Sequence, residues 1–354
     1  MTTLLVTSTS GGTGKTAITV ALGRLAQERG ATVGYMKPKG TNLESAVGKT
    51  RDEDPMLARD VLDLDAEMHQ LEPVVYSPTF IQEAIRGRAD PAALRADIES
   101  KFTELAADTD IMLLEGSDHH FTGGTVELTD ADIAEFLDAK VLLVSNYSEA
   151  GDTDEVLASD SEFGDRLAGV LFNDVSPDRY DELVEDTMPF LDGKGVDSFG
   201  AVPHDEALGG VTVAELADGI GAELLTPDLP ADNRIERFLV GAMGRSEALK
   251  QLRRTRNAAV ITGGDRSDIQ AAAMNAAGVG CVILTGGYRP SNAVLGEATS
   301  NNVPVMLVQS DTRTTIDRTE SLLGSGRTRK AETVERMAEL LADSFSIDSL
   351  LDLD

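Results

Sequence analysis

The sequence has no tryptophan, one cysteine, four histidines and only nine lysines among its 354 residues. A lone cysteine, Cys281, cannot close an intramolecular disulfide, so the fold must be held by its cores and not by bridges. In the apolar run Val279 to Leu284 it reads as a packed thiol in a reducing cytoplasm. No window reaches the ~18 consecutive apolar residues that a bilayer span needs. Met1 to Val6 lacks the basic start and apolar length of a secretory signal, and a cytoplasmic, soluble protein is expected. Positive charge is scarce as well: 31 Lys and Arg face 61 Asp and Glu, a formal net of -30. Such a field repels phosphate backbones and anionic lipid, which argues against nucleic-acid or membrane-surface binding and requires a local cradle for any polyanionic ligand. The acidic residues are scattered through every segment and 22 arginines outnumber the lysines, a pattern that reads as whole-surface adaptation to high salt.

The length predicts two or three domains. Short apolar runs alternate with amphipathic stretches, the signature of βα units around a mainly parallel sheet. Strands are expected at Leu4 to Thr7, Val33 to Met36, Ile111 to Leu114, Val141 to Ser145, Gly169 to Phe172 and Phe199 to Val202. Helices are expected at Pro91 to Ala107 and Ala131 to Leu137. The polar stretch Pro203 to Gly210 reads as a domain boundary. Beyond it, Val213 to Ile220 is a short helix and the chain then repeats itself: Val260-Ile261-Thr262-Gly263-Gly264-Asp265-Arg266 is echoed by Ile283-Leu284-Thr285-Gly286-Gly287-Tyr288-Arg289. Thr333 to Leu341 is an amphipathic helix, followed by an acidic tail expected to be loose. The domains expected are 1–205, 211–325, and 326–354 as helix and tail.

The strongest chemical signal follows the first strand: Ser8-Thr9-Ser10-Gly11-Gly12-Thr13-Gly14-Lys15-Thr16, directly before a helix-forming run. A phosphate chain needs converging N–H donors, hence glycines, and gains from the partial positive charge of a helix N-terminus. Lys15 would reach the β- and γ-phosphates of a nucleotide and Thr16 would ligate Mg²⁺. Asp54 in Asp52-Glu53-Asp54-Pro55 reads by itself as a helix start. Glu115 closes the strand beginning at Ile111, at the strand end beside the loop, where a metal must be held. The adjacent pair His119-His120 cannot easily share one metal.

The Gly-Gly-Thr-Gly-Lys-Thr core resembles the variant phosphate loop of the family that includes dethiobiotin synthetase and the chromosome-partitioning ATPases. Ser10 stands where the partitioning ATPases carry a signature lysine, which points to the synthetase branch. That resemblance implies an α/β P-loop sheet domain binding ATP and Mg²⁺. It assigns Lys37, in Tyr35-Met36-Lys37-Pro38, to the transferred phosphoryl and the substrate. It further assigns Asp54 and Glu115 to the metal side, Asn173 to adenine, and Gly200-Ala201-Val202-Pro203 to the last base-side turn. Where the synthetase has a small Ala-Gly-Gly loop against its substrate, this chain has Ser117-Asp118-His119-His120.

Across nearly the whole chain the sequence resembles the front half of the long bacterial phosphotransacetylases, a synthetase-like module followed by a smaller α/β DRTGG domain. The segments that carry this are Gly241-Ala242-Met243, Ile261 to Ile269, Ile283 to Pro290, Val303-Pro304-Val305 and Asp311-Thr312. No acyl-transferase domain is read after Gly326, so phosphotransacetylation by this chain alone is not expected. In the second domain Gly263, Gly264, Asp265, Arg266, Gly286, Gly287 and Arg289 form either an anion-binding rim for an effector or tight turns with arginines paired to local carboxylates. Two functions follow from these resemblances: a Mg-ATP-binding regulatory or accessory protein of acyl-CoA and acetate metabolism, or an ATP-dependent carboxylate or carbamate ligase of the synthetase type. The expected partners are a nucleotide, a small effector or a protein of acyl-CoA metabolism, and further copies of the chain.

Overall fold

The computed structural model describes residues 1–41, 43–46, 49–205, 207–241, 250–252, 255–325, 331–344 and 348–351. The expected motif residues Ala242 and Met243, and Gly326 at the expected third boundary, lie outside them. The chain forms two units, 1–205 with 329–354, and 206–328.

The first unit is built on six parallel strands: β1 (Thr2–Ser8), β2 (Val33–Met36), β3 (Ile111–Glu115), β4 (Lys140–Ser145), β5 (Leu167–Val175) and β6 (Ser198–Pro203), in the order β6-β5-β4-β1-β3-β2. The strands read as continuous apolar runs because helices cover both faces, and Leu4, Leu5, Val6, Leu113, Leu142 and Val144 have no exposed surface. The chain first winds from β1 to one side of the sheet and later returns to build the other. The crevice beside the C-terminal end of β1 is therefore the switch point where such sheets take ligands.

Helix boundaries follow local chemistry. Asp90 accepts from the backbone N–H groups of Ala92 and Ala93, with a proline opening the helix Pro91–Ala106. Thr129 and Asp132 form a reciprocal capping box at Asp130–Phe136. Helix α1 (Lys15–Glu28) leaves the loop after β1, and α2 (Asp54–Leu62) packs beside it.

The C-terminal helix Ala331–Ser344 belongs to this unit, packed along α1. Its residues Val334, Met337, Ala338 and Leu341 recur at helical spacing and are buried, and Arg336 holds Asp205 through Nε and Nη2 at 2.9 and 2.6 Å. The expected loose tail is corrected in part: Asp348–Leu351 is helical, with Leu350 and Leu351 buried, because two adjacent leucines recover more free energy in a core than in water.

The second unit carries a five-stranded sheet: β7 (Glu223–Leu224), β8 (Arg237–Val240), β9 (Ala258–Gly263), β10 (Val279–Thr285) and β11 (Val305–Leu307), in the order β7-β11-β10-β9-β8, parallel except for β7. Alternate residues serve opposite faces. Val260, Val282 and Leu284 join one apolar cluster, and Ala259, Ile261, Cys281 and Ile283 the other. Cys281 is a free, buried thiol whose burial pushes its ionisation well above the ordinary cysteine value. No described helix of the chain is long and apolar enough to cross a membrane.

Candidate functional site

The loop between β1 and α1 has the geometry its glycines suggest. Gly12 and Gly14 lie at φ 76° and 83°, a left-handed region open chiefly to glycine, and Gly14 sits at the N-cap of α1. Gly14 has no side chain with which to cap the helix start. Lys15 is buried beside the loop, Thr16 is half-buried, Gly11 and Gly12 are exposed, and Thr13 is buried. A Cβ at Gly14 would collide with the amide nitrogen of Asn173. That nitrogen donates to the Thr13 carbonyl at 2.7 Å, so Asn173, at the end of β5, braces the loop from beneath. Pro203 closes the neighbouring β6 in register with Val175. Beside it His204 Nδ1 meets Asp174 Oδ1 at 2.6 Å.

Next to the loop lies a buried cluster of charge. Lys37 has no exposed surface, and its ammonium meets Asp54, Asp52 Oδ2 at 2.6 Å and Glu115 Oε1 at 3.6 Å. The Thr16 hydroxyl donates to Glu115 Oε1 at 2.7 Å and the Tyr35 phenol donates to Glu115 Oε2 at 2.8 Å. Asp52 is also fixed by its second oxygen, which accepts from the Asp54 N–H at 3.0 Å. Burial alone would lower the Lys37 pKa, but Asp54, Glu115 and Asp52 together outweigh it and hold the ammonium charged. The carboxylates show the complementary strain: burial raises Glu115 and Asp52 above the ordinary range, and Lys37 only partly offsets it. Three buried carboxylates thus converge on Lys37, and Lys15 also acts on Glu115.

A hydroxyl and clustered carboxylate oxygens are the donors that a hard divalent cation takes. Among the described residues no group of three or more His, Cys, Asp or Glu has the arrangement of a metal cage. The set suits Mg²⁺, which keeps waters and substrate phosphates in its shell and needs few protein ligands.

A second buried lysine lies further along the same segment. Lys39 Nζ meets Asp130 Oδ1 at 2.6 Å, and Asp130 Oδ2 accepts from the Thr7 hydroxyl at 2.6 Å and the Ser117 N–H at 3.0 Å. Burial lowers the Lys39 pKa more than Asp130 raises it. This network ties the chain after Glu115 to β1. Asp118 then lies on the phosphate loop, its Oδ1 3.7 Å from Lys15 Nζ and its carbonyl accepting from Ser8 Oγ at 3.3 Å. The two histidines diverge: His119 Nδ1 reaches the Thr9 carbonyl at 3.3 Å, and His120 faces Glu162 at 2.9 Å.

The structure thus brings Lys15, Thr16, Lys37, Asp54 and Glu115 into one site and sets Asn173 against the loop. Sequence reasoning missed Tyr35, Asp52, Lys39 and Asp130. The two-residue spacing of Tyr35 from Lys37, at the end of a strand, was the available signal for the first. Asp52, two residues before Asp54, carried a similar hint.

The glycine-rich turns of the second unit differ. Gly264 N–H donates to the Thr285 carbonyl at 3.2 Å, Gly286 to Ser310 at 2.9 Å and Gly287 to Val308 at 3.0 Å. Arg289 Nη2 spans both oxygens of Glu223 at 2.5 and 2.6 Å, and Arg266 Nε meets Asp268 at 3.3 Å. Gly263 ends β9, and the side chain of Asp265 folds back against it. Both arginines thus meet local carboxylates.

Comparison with known proteins gives two matches that together take in most of the sequence: the AAA domain family AAA_26 over residues 2–212 and the DRTGG domain over residues 215–322. A phosphate acetyltransferase of Synechocystis is 29% identical over 245 residues, covering 64% of this chain and 34% of that protein. One from Pseudomonas putida is 24% identical, covering 91% of this chain and 47% of that protein. The ATP-dependent dethiobiotin synthetase BioD of Frankia casuarinae is 32% identical over 177 residues, covering 48% of this chain and 71% of that protein. The chain therefore spans a third to a half of the length of these two acetyltransferases.

Proposed function

The chain belongs to the AAA_26 family of AAA domains, carries a DRTGG domain behind it, and has phosphate acetyltransferases and dethiobiotin synthetases among its relatives; from that premise we propose that it binds Mg-ATP through its first unit and acts as a regulatory or accessory protein of acyl-CoA and acetate metabolism. The observation that carries the reading is the buried cluster beside Lys15 and Thr16 in which Asp52, Asp54 and Glu115 converge on Lys37. In this reading Gly11, Gly12, Thr13 and Gly14 offer backbone N–H groups to the phosphates, and Lys15 and Lys37 neutralise their charge. Thr16, Asp54 and Glu115 are the residues that would hold Mg²⁺, whose chemistry there is charge neutralisation on the β- and γ-oxygens. Asn173 and Pro203 flank the base. The second unit supplies regulation, taking a small effector or a partner protein.

The test is isothermal titration with Mg-ATP in molar KCl, the salt being chosen because repulsion among 61 Asp and Glu opposes compaction in dilute buffer. The wild-type chain binds and Lys15→Ala does not. Unchanged affinity in the variant overturns the assignment.

The ligase reading is less well supported at the substrate side. Asp118 lies on the loop beside Lys15, where a substrate carboxylate would meet a like charge. Phosphate release dependent on 7,8-diaminopelargonate and bicarbonate, abolished by Lys37→Ala, would make that reading the correct one. None is expected.

A further inference from the structure

We propose that Tyr35 is a positioning residue that, through Glu115, sets the sense of the Thr16 hydroxyl and so prepares it to ligate a divalent cation. The proposal rests on the Mg-nucleotide reading above and deepens it. A threonine hydroxyl has one proton and two lone pairs, and only the lone pairs bind metal. Here the proton is committed to Glu115 Oε1, 2.7 Å away, which leaves lone pairs as all that Thr16 can present elsewhere. That commitment holds only while the carboxylate keeps its orientation, and the Tyr35 phenol fixes it by donating to Glu115 Oε2 at 2.8 Å.

The sheet explains the contact. Tyr35 pairs with Leu113 across β2 and β3, and Glu115, two residues further along, shares that face. Tyr35 has no exposed surface and is among the largest fully buried side chains, so water cannot substitute for its hydroxyl. Groups that orient a ligand in this way, without touching the metal, typically change metal affinity by about ten- to a hundredfold when removed.

The experiment measures the affinity of the whole chain for a non-hydrolysable ATP analogue by titration calorimetry, once with Mg²⁺ and once with EDTA. Tyr35→Phe keeps the ring and removes the hydroxyl. The expected result is a Mg²⁺ enhancement reduced by about ten- to a hundredfold with the EDTA affinity unchanged. In a Thr16→Ala background, Tyr35→Phe has no further effect, because both act on one contact. A merely structural role would weaken both affinities alike. That result, or a full Mg²⁺ enhancement in Tyr35→Phe, overturns the proposal. If Tyr35→Phe does not fold, Tyr35→His, which can still offer an N–H, carries the test: Mg²⁺ enhancement kept near wild type supports the proposal, and enhancement lost together with the EDTA affinity overturns it. A wild-type chain that binds the analogue without any Mg²⁺ enhancement overturns the positioning role alone. One that binds no analogue at all overturns the nucleotide reading with it.

Discussion

Both units set glycine-rich turns at the C-terminal ends of parallel strands and follow them with a basic residue, yet the two sets of turns are built to opposite ends. In the second unit the N–H groups of Gly264, Gly286 and Gly287 are spent on backbone carbonyls, and Arg266 and Arg289 lie on surface carboxylates. In the first unit a glycine stands at the start of α1, and Lys15, Lys37 and Lys39 are buried beside it. Glycine makes close backbone approach possible in either place. What separates the two in this structure is that the first unit retains buried charge at a desolvation cost of several kcal/mol per ion.

The contrast can be broken most forcefully at Lys37. Lys37→Ala leaves Asp52, Asp54 and Glu115 buried without their ammonium and should cost about 3–5 kcal/mol in urea unfolding, part of it recovered by adding Asp52→Asn. A loss below about 1 kcal/mol would place the group among weak surface pairs instead. Gly14→Ala should cost about 1–2 kcal/mol from its left-handed backbone. Because a Cβ there also displaces Asn173, calorimetry should show ATP affinity falling by more than stability does. An affinity that tracks stability would remove Asn173 from the loop's support.

The second unit sharpens the comparison from its quiet side. Burial raises the Cys281 thiol, so the reactive thiolate is scarce at neutral and mildly alkaline pH. Labelling by a thiol reagent should therefore follow unfolding, and fast labelling of the folded chain would contradict the close-packed β10. Arg289→Ala, at an exposed pair with Glu223, should leave the unfolding midpoint unchanged. A clear drop would mean that this turn carries more than a surface contact.

Much of this frame was legible in the sequence for physical reasons. The strand runs around Leu4, Val33, Ile111 and Val141 have apolar middles because both sheet faces are covered, and the glycine-rich loop that ends in Gly14-Lys15-Thr16 follows the first of them. What could not be read was lateral. Asp130 reaches Lys39 and Thr7 across more than ninety residues, and Tyr35 reaches Glu115 only because β2 and β3 are neighbours in a particular register. The C-terminal helix around Met337 showed its amphipathic period, but nothing in that period said that its apolar stripe would face α1. Local pattern reports which face is apolar and leaves open what covers it.

Hydrogen exchange with and without Mg-ATP, in molar KCl, compares the two sets of turns in a single experiment. The account predicts slowed exchange in residues 9–17 with no change across 263–266 and 286–289. Protection confined to the second unit's turns, or to neither, would contradict it.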